Sequence, residues 1–198
     1  SFIAKYDSDG YAVWATKIAG SDNAFSYYII VSDDGRYIYV SGIYTSNPLK
    51  FYNSDGSESG IQLSCEGSWD SFIAKYDSDG YAVWATKIEG SGYDESYSVI
   101  SLDSPGNIYL SGYYTSNPVK FYNSDGRYSG VELSCSGSNA FLVRYNENGY
   151  ITWANKIDGS IVNNLGTSID DRGYVFVSGT YNSIPINFYN SDGTDSGI

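Results

Sequence analysis

The most repeated polar feature of this 198-residue chain is an acidic turn. It reads Asp-Ser-Asp-Gly at 7–10 and 77–80, and Asn-Ser-Asp-Gly at 53–56, 123–126 and 190–193. The spacing is that of the start of a calcium loop, which needs about six oxygen ligands and a further acidic residue some half-dozen positions on. After Asp9 come Gly10, Tyr11, Ala12, Val13 and Trp14, with no such carboxylate, and the same residues follow Asp79. A β-turn in which Asp or Asn bonds its own backbone and Gly supplies the positive φ accounts for the motif, with calcium as the alternative. The reading is therefore no metal and no cofactor.

Enzyme chemistry has few candidates. The chain has no histidine, which removes Ser-His triads, His metal sites and the commonest general acid or base together. A carboxylate pair of the glycosidase type remains conceivable. However, the acids sit mainly in repeated turns, and the others, such as Asp94, Glu95, Asp170 and Asp171, have no counterparts across the repeats. No glycine-rich segment opens a helix, so a phosphate loop is unsupported. The expectation is a non-enzyme with no catalytic residues.

The aromatic residues allow two readings. Trp14, Trp84 and Trp153, with Tyr6, Tyr76 and Tyr145, could stack sugars, but a Trp at the same place in every repeat is better explained as inter-sheet core. Trp69 breaks the pattern, with Asn139 near its place in the next unit, and is expected to be exposed. Cys65 and Cys135 occupy equivalent positions. Buried free thiols and a cross-chain bridge both remain open for them. There is no Asn-X-Ser/Thr sequon, although the Ser/Thr-rich loops could carry O-linked sugar.

These residues belong to a tandem array. SFIAKYDSDGYAVWATKI occurs at 1–18 and again, letter for letter, at 71–88, with a diverged copy at 140–157. Units 1–70, 71–139 and 140–198 follow, the third incomplete at its C-terminal end relative to the others. A period near 70 residues means one supersecondary unit copied, and a singular active site would need one copy to differ. Because Ser1 falls in mid-array and the chain contains no Met, a processed product or a segment of a longer array is expected.

Composition narrows the partners. With 23 acidic against 11 basic residues, nucleic acid and anionic membrane are poor partners. No apolar run is long enough to span a bilayer. Abundant Tyr and Gly with polar turns suit short strands and a secreted, extracellular or cell-surface protein.

Each unit reads as hairpins. In the first, residues 2–6 and 12–18 flank one turn, and 26–31 and 37–44 flank another, with Ile38 and Val40 alternating as in a half-buried strand. Asn47-Pro48 interrupts, and a shorter pair, 49–52 and 61–63, follows around 53–56. No window carries a helical period. The fold class is all-β.

The run FIAKYDSDGYAVWATKI, with IYVSGIYTS at 38–46 and IYLSGYYTS at 108–116, resembles the bacterial β-propeller repeat called SBBP. That resemblance covers about two thirds of each unit and implies four-stranded blades, each made from a second hairpin and the F-I-A-K hairpin of the next unit. Two such blades would be 26–88 and 96–157, leaving an outer hairpin at 1–18 and an inner pair near 165–181. The resemblance implies no catalytic residues, and it leaves open the place of the insert at 49–67. Too few blades are present for a closed propeller, so the unpaired edges call for more chain or another copy. The expected function is an extracellular structural repeat protein, its units joined head to tail into a fibre or surface assembly. The alternative is a β-propeller binding module that presents loops to a glycan or protein ligand.

Overall fold

The computed structural model describes residues 1–95, 100–182 and 185–198, with the backbone alone at 161–164. The strand start expected at Ser96 lies outside the described residues. Strands β1 (Phe2–Tyr6), β2 (Ala12–Gly20), β3 (Ala24–Val31), β4 (Tyr37–Tyr44), β5 (Leu49–Tyr52) and β6 (Glu58–Leu63) form the first unit. The second holds β7 (Asp70–Asp77), β8 (Ala82–Glu89), β9 (Asp94–Glu95), β10 (Ser101–Leu102), β11 (Ile108–Tyr114), β12 (Val119–Tyr122) and β13 (Tyr128–Leu133). The third holds β14 (Asn139–Tyr145), β15 (Ile151–Asp158), β16 (Ile161–Ile169), β17 (Val175–Tyr181) and β18 (Asn187–Phe188). No helix occurs among the described residues.

The strands form four antiparallel sheets, ordered β1-β2-β5-β6, then β3-β4-β7-β8-β12-β13, then β10-β11-β14-β15-β18 with β9 also on β11, and finally β16-β17. Each larger sheet therefore mixes units. The hairpin β3–β4 belongs to the first unit and β7–β8 to the second, with Gly42 opposite Phe72 and Val40 opposite Ala74. The same pairing recurs between β11 and β14, where Gly112 faces Phe141. The insert whose place the sequence left open is a hairpin added to the outer strand of the preceding sheet, β5 on β2 and β12 on β8.

The core is a series of seams. Sheet one packs on sheet two through Ile3, Ile18 and Phe51 against Val40, Phe72 and Tyr76. Sheet two meets sheet three through Tyr39, Ile73 and Trp84 against Ile108, Leu110 and Tyr145. A smaller cluster of Ala140, Ile157 and Leu165 joins sheet three to β16–β17. The alternation at 37–44 predicts a half-buried strand, but β4 is buried on both faces because a seam lies on each side of its sheet.

Two local features explain recurring residues. The hairpins β1–β2, β7–β8 and β14–β15 each shift register at the same place, before Tyr6, Tyr76 and Tyr145, the mark of a β-bulge that re-aims the strand end. Gly42 and Gly112 sit where a methyl group would run into the carbonyls of Phe25 and Glu95 on the neighbouring strand, so only glycine lets the strands close.

Candidate functional site

The repeated turns act first as joints. Asp7 Oδ1 accepts from the amides of Asp9 (3.0 Å) and Tyr11 (2.8 Å), and Asp77 and Asn146 repeat the pattern. The positive φ falls on Gly10, Gly80 and Gly149. The carboxylates singled out as calcium-loop candidates thus serve their own backbone, as the turn reading requires.

The two kinds of turn also dock on one another between units. Ser54 donates its amide to Gly80 O (3.0 Å) and its hydroxyl to Asp79 O (2.6 Å), while Asn53 Oδ1 accepts from Ala82 N (3.1 Å). Ser124 and Asn123 make the same bonds to Gly149, Asn148 and Ile151. Trp14 Nε1 and Lys5 Nζ both donate to Ser78 O, at 3.1 and 3.0 Å. Trp84 Nε1 and Lys75 Nζ both donate to Glu147 O, at 3.3 and 3.0 Å. The indoles therefore sit in seams, Trp84 buried and Trp14 and Trp153 half-buried, with Tyr39 and Tyr109 edge-on to Trp84 and Trp153. Trp14 and Trp84 are held in the seams, whereas Trp153 lines an open cleft and Tyr6 is exposed, so the Trp–Tyr set does not form one shared stacking surface.

Trp69 departs from expectation. It is half-buried rather than exposed, stacked on Phe25 with ring centroids 5.7 Å apart, and Phe25 in turn stacks on Tyr27 at 6.4 Å. The covering residue comes from a bulged strand far away in sequence, which no local pattern reveals.

Where the repeat is broken, the second unit holds buried acids. Glu89, Asp94 and Glu95 stand where the first unit has Ala19, Ala24 and Phe25, and Asp70 stands where the third has Asn139. Asp70 accepts from the amides of Glu66 (2.7 Å) and Gly90 (3.3 Å), yet burial outweighs those bonds and pushes its carboxyl up to about 7. Burial likewise raises Asp94 to about 6, against bonds from Ser116 Oγ (2.6 Å) and its amide. Glu89 forms a buried ion pair with Lys87, whose ammonium also reaches Ser64 Oγ at 2.7 Å. Tyr113 donates to Glu95 at 2.7 Å. Sequence reading noted Asp94 and Glu95 as unmatched but missed Asp70 and Glu89. Comparing units residue by residue would have exposed them.

The donors to Asp70 and Asp94 are loop groups. Asp70 and Asp94 line none of the clefts described here. Both cysteines are free thiols: Cys135 is buried and donates to Ser116 O (3.3 Å), and burial pushes Cys65 up to about 12. Asp170 and Asp171 are placed in the turn before β17, where Asp170 pairs with Arg172 at 2.9 Å.

Among the described residues, clefts open to solvent at several places, and two of them carry both acidic and basic side chains. The larger, of 660 Å³, lies between β13 and the outer part of sheet three, lined by Glu132, Trp153, Lys156, Tyr189 and Asp192 among others. A second, of 240 Å³, lies at the turn end between sheets two and three, with Asp34, Arg36, Asp103 and Glu147 on its walls. Asp34 is held well below the usual carboxylate range by bonds from Ser32 and Arg36. Both clefts mix charge with aromatic surface.

No family profile matches the chain. It is 33% identical over 209 residues, covering 96% of its length, to a protein of Acanthamoeba polyphaga mimivirus named as an uncharacterized WD repeat-containing protein. It is 27% identical over 114 residues, 56% of its length, to the regulatory protein FlaEY of Caulobacter vibrioides. The chain spans 15% of the length of the first relative and 11% of the second.

Proposed function

We propose that this chain is part of a β-propeller-type interaction module that binds a protein partner through its loops and inter-sheet clefts. The observation that carries this reading is the similarity, across nearly the whole chain, to a protein named for WD repeats. WD repeats are a propeller-type unit. A series of antiparallel sheets packed seam to seam, with turns gathered along their ends, supports the same reading. The module is read as non-enzymatic and without a cofactor. Its composition supports a place outside the cell, which detection of the native protein in culture supernatant would test.

A protein ligand is preferred to a glycan because the similarity that spans nearly the whole chain is to a protein named for WD repeats, and two of the repeated indoles, Trp14 and Trp84, are held inside the seams. The test is to identify a partner by affinity capture, reconstitute the pair from purified components, and measure binding calorimetrically in parallel with a glycan array. Binding that weakens about tenfold or more with Tyr189→Ala or Arg36→Ala, with circular dichroism unchanged, supports the reading. Glycan binding alone would replace it.

The head-to-tail structural assembly is the second reading, favoured by the near-identity of the seams.

A further inference from the structure

Tyr39 and Tyr109 hold the same place in successive units, on β4 and β11, each edge-on to an indole, Trp84 or Trp153. Their hydroxyls fare differently. Tyr109 donates to the Asp103 carboxylate at 2.9 Å. Tyr39 is only 2% exposed, yet its hydroxyl makes no hydrogen bond among the described residues, and its side chain lines the 240 Å³ cleft between sheets two and three. Burial, with the charges of Glu147 and Asp34 on the cleft walls, raises its phenol to about 12, so the hydroxyl faces those walls as a protonated group. A hydroxyl so enclosed calls for a partner, because a polar group held away from water without one is destabilising.

The walls of this cleft are turns from the interior of the sequence, one from each unit. The β3–β4 turn supplies Asp33, Asp34 and Arg36, the β10–β11 turn supplies Asp103, and the β14–β15 turn supplies Glu147. Two of the acids are committed. Asp34 is held by Arg36 and Ser32, and Asp103 by Tyr109, Asn107 and Arg144. The carboxylates of Asp33 and Glu147 make no hydrogen bond or ion pair among the described residues, because Lys75 and Trp84 donate to the Glu147 carbonyl instead. With four acids on its walls against Arg36, and Lys75 behind the Tyr37 ring at 3.7 Å, the cleft stays net negative. Its 240 Å³ falls below the range of about 300–1,000 Å³ usual for small-molecule sites, and suits one inserted side chain. We infer that the cleft takes the side chain of an arginine from the partner protein, its guanidinium spread between the Glu147 and Asp33 carboxylates and the Tyr39 hydroxyl. A guanidinium is a planar fork of five donors, which suits acceptors on separate walls better than the point charge of an ammonium. The inference rests on the protein-partner reading and names the chemistry of one contact.

Titration of the 198-residue chain with the end-blocked peptide Gly-Arg-Gly at low salt, followed by two-dimensional NMR, tests it. Saturable shifts are expected at Asp33, Glu147 and the Tyr39 ring. Citrulline in place of arginine keeps the shape and removes the charge, and should weaken binding about tenfold or more. Glu147→Gln should weaken it about threefold to tenfold with an unchanged circular dichroism spectrum. Tyr39→Phe should weaken binding without lowering the melting temperature, since no bond within the chain is lost, whereas Tyr109→Phe, which loses the bond to Asp103, should melt lower. Glu66→Gln, beside Asp70 at the opposite end of the β4–β7 pair, is the control and should bind as wild type does. No saturable shift up to about 10 mM peptide, equal affinity for the citrulline peptide, or indifference to Glu147→Gln would each overturn the inference. The protein-partner reading is judged separately, by calorimetry on the reconstituted pair. A partner that binds Glu147→Gln as tightly as wild type would remove this site alone, whereas glycan binding alone would remove that reading.

Discussion

Phe2 and Phe72 separate what a side chain is from what its place makes of it. Removing the buried Phe72 ring leaves a cavity between Tyr44 and Phe51, whose rings lie 6.2 and 5.8 Å away. Phe72→Ala is expected to cost about 3–5 kcal/mol in urea denaturation. Phe2→Ala, measured at a concentration low enough to keep the chain monomeric, should stay within about 0.5 kcal/mol. The thiols offer a second test at this scale. Burial raises Cys65 far above neutral pH, so little of its thiolate exists to react, and Cys135 is covered from the reagent. In native protein both should modify slowly with a disulfide-exchange reagent and become rapid in denaturant. Fast reaction of Cys65 in the native state would show that its loop opens.

At the scale of elements, the glycine of each Ser-Gly pair is a packing requirement. A methyl at Gly112 would meet the Glu95 carbonyl at 2.6 Å and the Phe141 ring, so Gly112→Ala should cost about 1–3 kcal/mol or more, by thermal melts. Gly10→Ala, where nothing lies within 4 Å, should cost about 1 kcal/mol from its positive φ alone. Equal losses would mean that the β9–β11 approach is looser than described. The hairpins themselves were legible in the sequence, because alternation and turn chemistry are local properties of β1–β2 and β3–β4. The seating of the insert was not, since β5 finds its partner on β2 across an intervening hairpin, and alternation does not say which edge a strand will choose. Nor was the joint role of Asn53 and Ser54, whose side chains reach the next unit's turn, Asn53 while it also closes its own. Trp69 failed for the same reason: its cover comes from Phe25, out of reach of any window. The buried acids were legible in part, as departures from an otherwise faithful repeat.

For the whole molecule, those acids set how stability depends on pH. Asp70 and Asp94 have carboxyls raised by burial to about 7 and about 6, from an ordinary value near 3.8. Between those limits the folded chain holds protons that the unfolded chain has released, so this stabilisation is fully present below about pH 4 and is lost as pH rises through about 7. The turn residues Asp34, Asp55, Asp170 and Asp192 shift the opposite way, lowered by bonds from their own turns, so their stabilisation is present above about pH 4 and lost in stronger acid. Self-repulsion adds to the first trend, because the formal net charge of -12 at pH 7 is relieved as carboxylates protonate. Together these place the stability maximum near about pH 5, with a fall toward pH 8. Asp70→Asn isolates the main contributor. Asn139 already occupies the equivalent place in the third unit, its amide donating to Asp158 at 2.9 Å, and an amide at position 70 meets Glu89 in the same relation. The variant should melt higher than wild type at pH 8, match it near pH 5, and show a flatter profile between them. A profile that rises from pH 5 to 8, or one that Asp70→Asn leaves unchanged, would mean that Asp70 is ionised throughout and that its amide donors, rather than its burial, govern the seam.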